Sequence, residues 1–290
     1  MMRSMKKLVL ALTTLTVLAS CAEGGGTPIS PRDAVLDAIS AVYDAGSYHQ
    51  ELTMSMSAEG MEYSITAKAD VDNATQEVAM TMDMGMLGGE MEMVVHDGVI
   101  YMRSPAFEGA APTPWISMDP AKMDPAAAAQ FGGFGAGTTD PSAYAGLFAG
   151  VFDVRASGEA DIGGVATTRY VGTIDLQKVI EGFSDLVGKD ADPETKEQLE
   201  AAVKQFGALG IDEDIPFEIW IDDEGLPRRQ RITMDFGDLV PGTEEATLDM
   251  TVNYSAFGEP VQVEVPKASQ VTDITETMGE MADAGSTPGA

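Results

Sequence analysis

Between Tyr48 and Tyr254 the chain repeatedly places an apolar residue at every second position. Val78, Met80, Met82, Met84 and Met86 alternate with Glu77, Thr81 and Asp83, and after Gly88-Gly89 the pattern resumes as Met91, Met93 and Val95 against Glu90 and Glu92. A period of two sends alternate side chains to opposite sides of a pleated strand, so this stretch predicts a β-hairpin with one oily face. The same pattern precedes it. Tyr48, Leu52, Met54 and Met56 oppose Glu51, Thr53, Ser55 and Ser57, and after a turn at Glu59-Gly60 come Met61, Tyr63, Ile65, Ala67, Ala69 and Val71. Turns at Asp72-Asn73 and at His96-Asp97-Gly98 punctuate the run before a further strand over 99–103. Downstream, strands are expected over 151–160, 165–174, 217–222, 229–236 and 247–254; Ile232, Met234 and Phe236 share a face, as do Leu248, Met250, Val252 and Tyr254.

A period near 3.6 marks the helices. Ser30 can cap a helix that has Pro31 in its first turn, Asp33 at its positive end, Gly46 as its stop, and a stripe of Val35, Leu36, Ile39, Val42 and Tyr43. Asp175 opens a second helix bearing Leu176, Val179, Ile180, Phe183, Leu186 and Val187, and Asp192-Pro193 opens a third bearing Leu199, Ala202, Val203 and Phe206. A short helix is expected over 141–148. Residues 105–140, rich in Pro, Ala and Gly around Trp115-Ile116, read as a flexible insertion or a covering loop, and the acidic residues 267–290 as a disordered tail. The pattern thus gives an α+β domain over 30–266, an antiparallel sheet with one polar face whose other face needs amphipathic helices or a ligand to cover it.

Methionine is an unexpected choice for that face, because β-branched residues pack better on a sheet. Its unbranched, polarizable thioether suits surfaces that adapt to varied apolar partners. A filled core and an adaptable cavity both fit; for the cavity, the lining candidates are Met54, Met56, Met80, Met82, Met84, Met91, Met93, Ile232, Met234 and Met250.

Charge and chemistry narrow the function. With a formal charge of −30 over 290 residues, the chain lacks the clustered Lys and Arg that phosphate backbones require, so nucleic acid is not a partner. No nucleophile elbow, zincin helix or phosphate loop occurs, and Asp190, Asp192 and Glu194 read as helix caps rather than a calcium loop. His49 falls on the polar side of its strand and His96 in a turn. Thioethers bind Cu(I), but residues i and i+2 of one strand lie about 7 Å apart, too far to share an ion readily. No catalytic residue, metal or cofactor is therefore expected, and the chain does not read as an enzyme.

Arg3, Lys6 and Lys7 precede an apolar run over 8–18 that is too short to span a bilayer, which is the layout of a signal peptide over 1–20. It ends in Leu18-Ala19-Ser20-Cys21, which resembles the bacterial lipobox. Cys21 is the sole cysteine, so it has no disulfide partner within the chain, and residues 21–29 read as a lipidated tether. Acylation there would hold the domain on the outer face of the cell membrane, because each buried CH₂ contributes about 0.8 kcal/mol.

Together with this start, Val99-Ile100-Tyr101-Met102, Trp115-Ile116-Ser117-Met118, the run from Gly163 to Tyr170, Ile219-Trp220-Ile221-Asp222 and Leu226-Pro227-Arg228 resemble the LppX/LprAFG family of actinobacterial lipoproteins. The resemblance implies a LolA-like half-barrel: a curved antiparallel sheet with helices across its concave face, enclosing an apolar cavity for acylated lipids or glycolipids. It implies carriage or presentation of such a lipid in the cell envelope. The alternative is an envelope interaction or sensor protein with a packed half-barrel and a protein partner. Replacing Cys21 by Ala is expected to move the protein from the membrane fraction to the medium; membrane association that survives the substitution would contradict the anchor.

Overall fold

A computed structural model of the chain describes residues 29–58, 61–85, 89–107, 109, 111–123, 150–175, 178, 215–235 and 246–277. Twelve strands form one open sheet in the order β12-β6-β5-β4-β3-β2-β1-β11-β10-β9-β8-β7. They are β1 (Ser47–Ala58), β2 (Met61–Asp72), β3 (Glu77–Asp83), β4 (Glu90–His96), β5 (Val99–Arg103) and β6 (Trp115–Met118), followed by β7 (Val151–Ile162), β8 (Val165–Ile174), β9 (Ile215–Asp222), β10 (Pro227–Asp235), β11 (Ala246–Ser255) and β12 (Val271–Asp273). Neighbours run antiparallel except β12, which lies parallel to β6. Two meanders, β1 to β6 and β7 to β11, join where β1 pairs with β11.

Register carries the period-two pattern across the strands, because directly opposed residues project to the same side. One row reads Tyr170, Ile219, Gln230, Val252, Leu52, Ala67, Met82 and Met91 from β8 to β4. The adjacent row reads Gly172, Phe217, Ile232, Met250, Met54 and Ile65. Gly172 is required there, since a Cβ would stand 2.7 Å from the Phe217 ring. The other side of the sheet is polar, with a row of Arg169, Trp220, Arg229, Asn253, Glu51, Lys68, Thr81, Glu92 and Arg103. Lys68 pairs with Glu51 at 2.9 Å, Arg169 with Glu218 at 2.5 Å, and Arg103 with Glu92. Such exposed pairs contribute little individually, but they keep that face wet.

The helix α1 (Pro31–Asp44) begins as its sequence dictates. Ser30 Oγ accepts from the Asp33 amide at 3.1 Å, and Pro31 occupies the first turn. Its apolar stripe lies on the oily face at the β7–β10 end, where Val35 and Ala38 pack with Val151, Phe217, Ile219 and Ile221. Arg32 fastens the helix to the sheet by donating to the Val151 carbonyl at 2.9 Å. The helices expected after Asp175 and Asp192, and the one over 141–148, lie outside the described residues.

Two segments depart from expectation. Part of the Pro/Ala/Gly-rich stretch is sheet: all four residues of β6 are buried, and β6 pairs with β5 on one side and β12 on the other. β12 in turn falls in the expected tail, and a local hydrogen-bond set holds it. The Ile274 amide donates to the Ser117 carbonyl at 2.9 Å, while Thr275, itself buried, accepts from the Asp119 amide at 3.0 Å. Backbone pairing and one buried threonine thus anchor a segment whose composition is that of a disordered tail.

The alternation is tested by exchanging one residue on each side. Met93 is 3% exposed on the oily face, whereas Thr53 is exposed between Thr66 and Thr251 on the polar face. Met93→Asp is expected to cost more than about 3 kcal/mol by burying an unpaired charge, and Thr53→Asp less than about 0.5 kcal/mol. Urea unfolding of the two variants checks this, and equal losses would refute the assignment of faces.

Candidate apolar binding face

The oily face has two dry ends and a wetter middle. At the α1 end is the cluster just described. At the other end Met93, Val95 and Ile100 are buried, with Val78, Met80 and Met102 packed on them. Between these, on β2, β1, β11 and β10, the residues Leu52, Met54, Ile65, Leu248, Met250, Val252 and Met234 are each half-buried, whereas the small Ala67 beside Leu52 is buried and Ile232 packs on the α1-end cluster. Toward the β1–β2 turn the face opens further, and Met56 and Met61 are 46% and 52% exposed.

Nine of the ten cavity candidates lie on this face. Met54 stands between Met250 and Ile65, Met56 opposes Leu248, which opposes Met234, and Met80, Met82, Met91 and Met93 face one another across β3 and β4. Met84 is the exception. β3 ends at Asp83, and Met84 belongs to the turn, where its amide donates to the Gly89 carbonyl at 3.0 Å and Gly85 adopts a φ of 54°. Cys21 lies outside the described residues. Sequence reasoning left out Phe217, Ile219, Tyr170 and Met102, which share the face; the same period-two pattern in their strands would have found them.

Aromatic side chains close one edge of the middle region. Tyr48 and Tyr254 meet edge to face at 6.0 Å between ring centroids, and Phe257 stacks on Tyr254 at 6.4 Å. Arg228 lies over Phe257 at 5.2 Å while its Nε donates to Asp222 at 2.6 Å. Burial pushes the Tyr254 phenol above its ordinary value, with Tyr48 adding to the effect, so it stays neutral and donates to Gln230 at 3.3 Å. A neutral, hydrogen-bonded phenol suits an apolar surface.

Each histidine is held by a carboxylate. His49 Nδ1 contacts Asp70 Oδ1 at 2.8 Å on the polar face. His96 is the last residue of β4 rather than part of a turn, and its Nδ1 contacts Glu77 at 2.5 Å. Among the described residues no three His, Cys, Asp or Glu side chains converge to hold a metal, and no helix is long and apolar enough to cross a membrane.

On the polar face a furrow of about 650 Å³ runs past Arg169, Glu218, Trp220, Arg229, Arg231 and Asp249. The guanidinium groups of Arg169 and Arg229 lie 5.6 and 5.8 Å from the centre of the Trp220 ring. Glu218 takes Arg169 and Asp249 takes Arg231 at 2.5 Å, while Ser157, Glu159 and Thr251 also line the furrow.

No family model matches the chain. The chain resembles the mycobacterial lipoprotein LppX. The crystal structure of LppX from Mycobacterium tuberculosis matches 82% of this chain and 100% of its own, at 16% identity and a TM-score of 0.49. LprF from Mycobacterium bovis matches 82% of this chain and 97% of its own, at 19% identity and a TM-score of 0.45. An uncharacterized 31.2 kDa protein of Streptomyces griseus is 31% identical over 138 residues, a match that spans 48% of this chain and 39% of that protein.

The polar face gives a pH prediction. The Arg231 hydrogen bond, helped by Thr233, holds the Asp249 carboxyl below its usual range. A depressed folded pKa contributes stability that is present above the unfolded value of about 3.9 and is lost as pH falls through the folded value. Asp249→Asn is therefore expected to lose less stability than the wild type between pH 6 and about pH 2.5, by under about 1 kcal/mol because the pair is half-exposed. Acid titration of the thermal midpoint checks it, and identical acid limbs would contradict the assignment.

Proposed function

We propose that this chain is a non-enzymatic lipoprotein, anchored by Cys21 to the outer face of the cell membrane, that receives the acyl chains of lipids or glycolipids on its oily face. The observation that carries the reading is the half-buried middle row of Met250, Met54 and Ile65, set between two dry clusters. A core filled by its own side chains would be as dry there as at its ends. Unbranched Met residues along the row suit chains of varying length and saturation. Open sheets of more than about ten strands curl, which would turn such a face into a trough. Because the chain is strongly acidic, its hold on an anionic membrane would come from the lipid anchor rather than from charge. The reading agrees with the LppX/LprAFG resemblance of the sequence and adds where on the sheet the ligand would lie.

The test separates a ligand trough from a packed interaction protein. Met250→Phe adds volume and stiffness within the row. In a trough it should exclude a fluorescent long-chain fatty-acid probe, with at least a tenfold loss of affinity, while the melting temperature stays near that of the wild type. In a packed core it should cost about 1–3 kcal/mol through overpacking. A lowered melting temperature, with no probe binding even in the wild type, would favour the packed protein.

A further inference from the structure

Three methionines line up across the strands at the dry β3–β5 end of the face. Met80, Met93 and Met102 are direct cross-strand neighbours on β3, β4 and β5, and both outer residues pack on the cluster of Val95, Ile100 and Met93, the last of these 3% exposed. Met82 and Met91 oppose each other in the adjoining row. Spacing along one strand argues against a shared ion, at about 7 Å between i and i+2. Spacing across strands argues for one, because opposed Cβ atoms lie about 4.5–5.5 Å apart and three rotatable bonds let each sulfur swing toward its neighbour.

The donor set is chemically narrow. The alternation that collects sulfur on this side sends Thr81, Asp83, Glu90, Glu92 and Arg103 to the other, and Val78, Val95 and Ile100 wall the cluster with hydrocarbon. Neutral, soft, all-sulfur surroundings without a carboxylate or imidazole disfavour Mg²⁺, Ca²⁺ and Zn²⁺, whereas thioethers select Cu(I). A single positive charge is also the smallest that a metal can bring into an apolar site, and the chain's net charge of −30 raises the local concentration of cations around it.

We propose that Met80, Met93 and Met102 form a three-sulfur site for one Cu(I) ion, with Met82 and Met91 beside it. The ion enters and leaves as Cu(I), so no electron is transferred. The site stands on register and packing and does not depend on lipid carriage.

The test uses delipidated protein carrying Cys21→Ser, which removes the only thiol. Titration with Cu(I) against bicinchoninate under anaerobic conditions is expected to show one tightly held equivalent, and X-ray absorption a first shell of sulfur alone. Met93→Leu nearly conserves volume, so it should keep its melting temperature and weaken binding at least tenfold. Met102→Leu repeats the test at the half-buried partner should Met93→Leu fold poorly, while Met61→Leu, at an exposed methionine outside the cluster, should bind as the parent does. Retention by the parent, loss in the cluster variants and a sulfur shell uphold the site even if no lipid is ever found. No competitive binding, a nitrogen or oxygen shell, or equal affinity in Met102→Leu and the parent would overturn it.

Discussion

Everything in this structure depends on keeping one alternation in phase across the sheet. A slip of one residue between any two strands would carry the methionines of one strand to the polar side and its acids to the oily side. The register does not slip on the β1–β6 half. From β11 through β6 the ladders run without a shift and keep the oily residues opposed, from Met54 against Met250 to Ile100 against Met118 and Met102 against Ile116. The irregularities fall on the other half, in β7 near Asp153 and Gly158 and in β10 at Pro227, where positive φ angles or a proline interrupt the ladder. Bulges there add twist at the edge that α1 covers.

The two faces then do different work. On the polar side, Arg231 opposes Glu218, Lys68 opposes Glu51 and Arg103 opposes Glu92, while acid meets acid at strand ends, in Asp72 against Glu77 and Asp83 against Glu90. On the oily side, dispersion and burial hold the two ends shut while the middle stays half-wet. Methionine fits both regimes because it packs densely where partners exist and adapts where they do not. The same flexibility allows three sulfurs to converge at the dry end. Lipid and Cu(I) would thus use separate stretches of one surface.

Much of this was legible in the sequence because alternation is a local property. Met54, Met80, Met82, Met93, Ile232 and Met250 fall where their spacing placed them, and Ser30-Pro31 starts α1 as its capping chemistry requires. What the sequence hid is non-local or conformational. Nothing in Met54 or Met250 announces that β1 and β11, some two hundred positions apart, are neighbours. Nothing in the acidic composition of the C-terminal stretch reveals that Val271 pairs with Trp115. Met84 reads as strand by period but is taken by the turn at Gly85, and intrastrand spacing is silent on the distances between methionines that face one another across the sheet.

The central claim is that the half-buried middle row accommodates acyl chains. Native mass spectrometry of the wild-type protein purified from its own host tests it most directly, since gentle ionisation preserves a buried apolar ligand. The account predicts a population heavier than the acylated polypeptide by the mass of one noncovalent lipid, released on collisional activation as a free acylated species. A single mass equal to that of the acylated polypeptide under the gentlest conditions would contradict it.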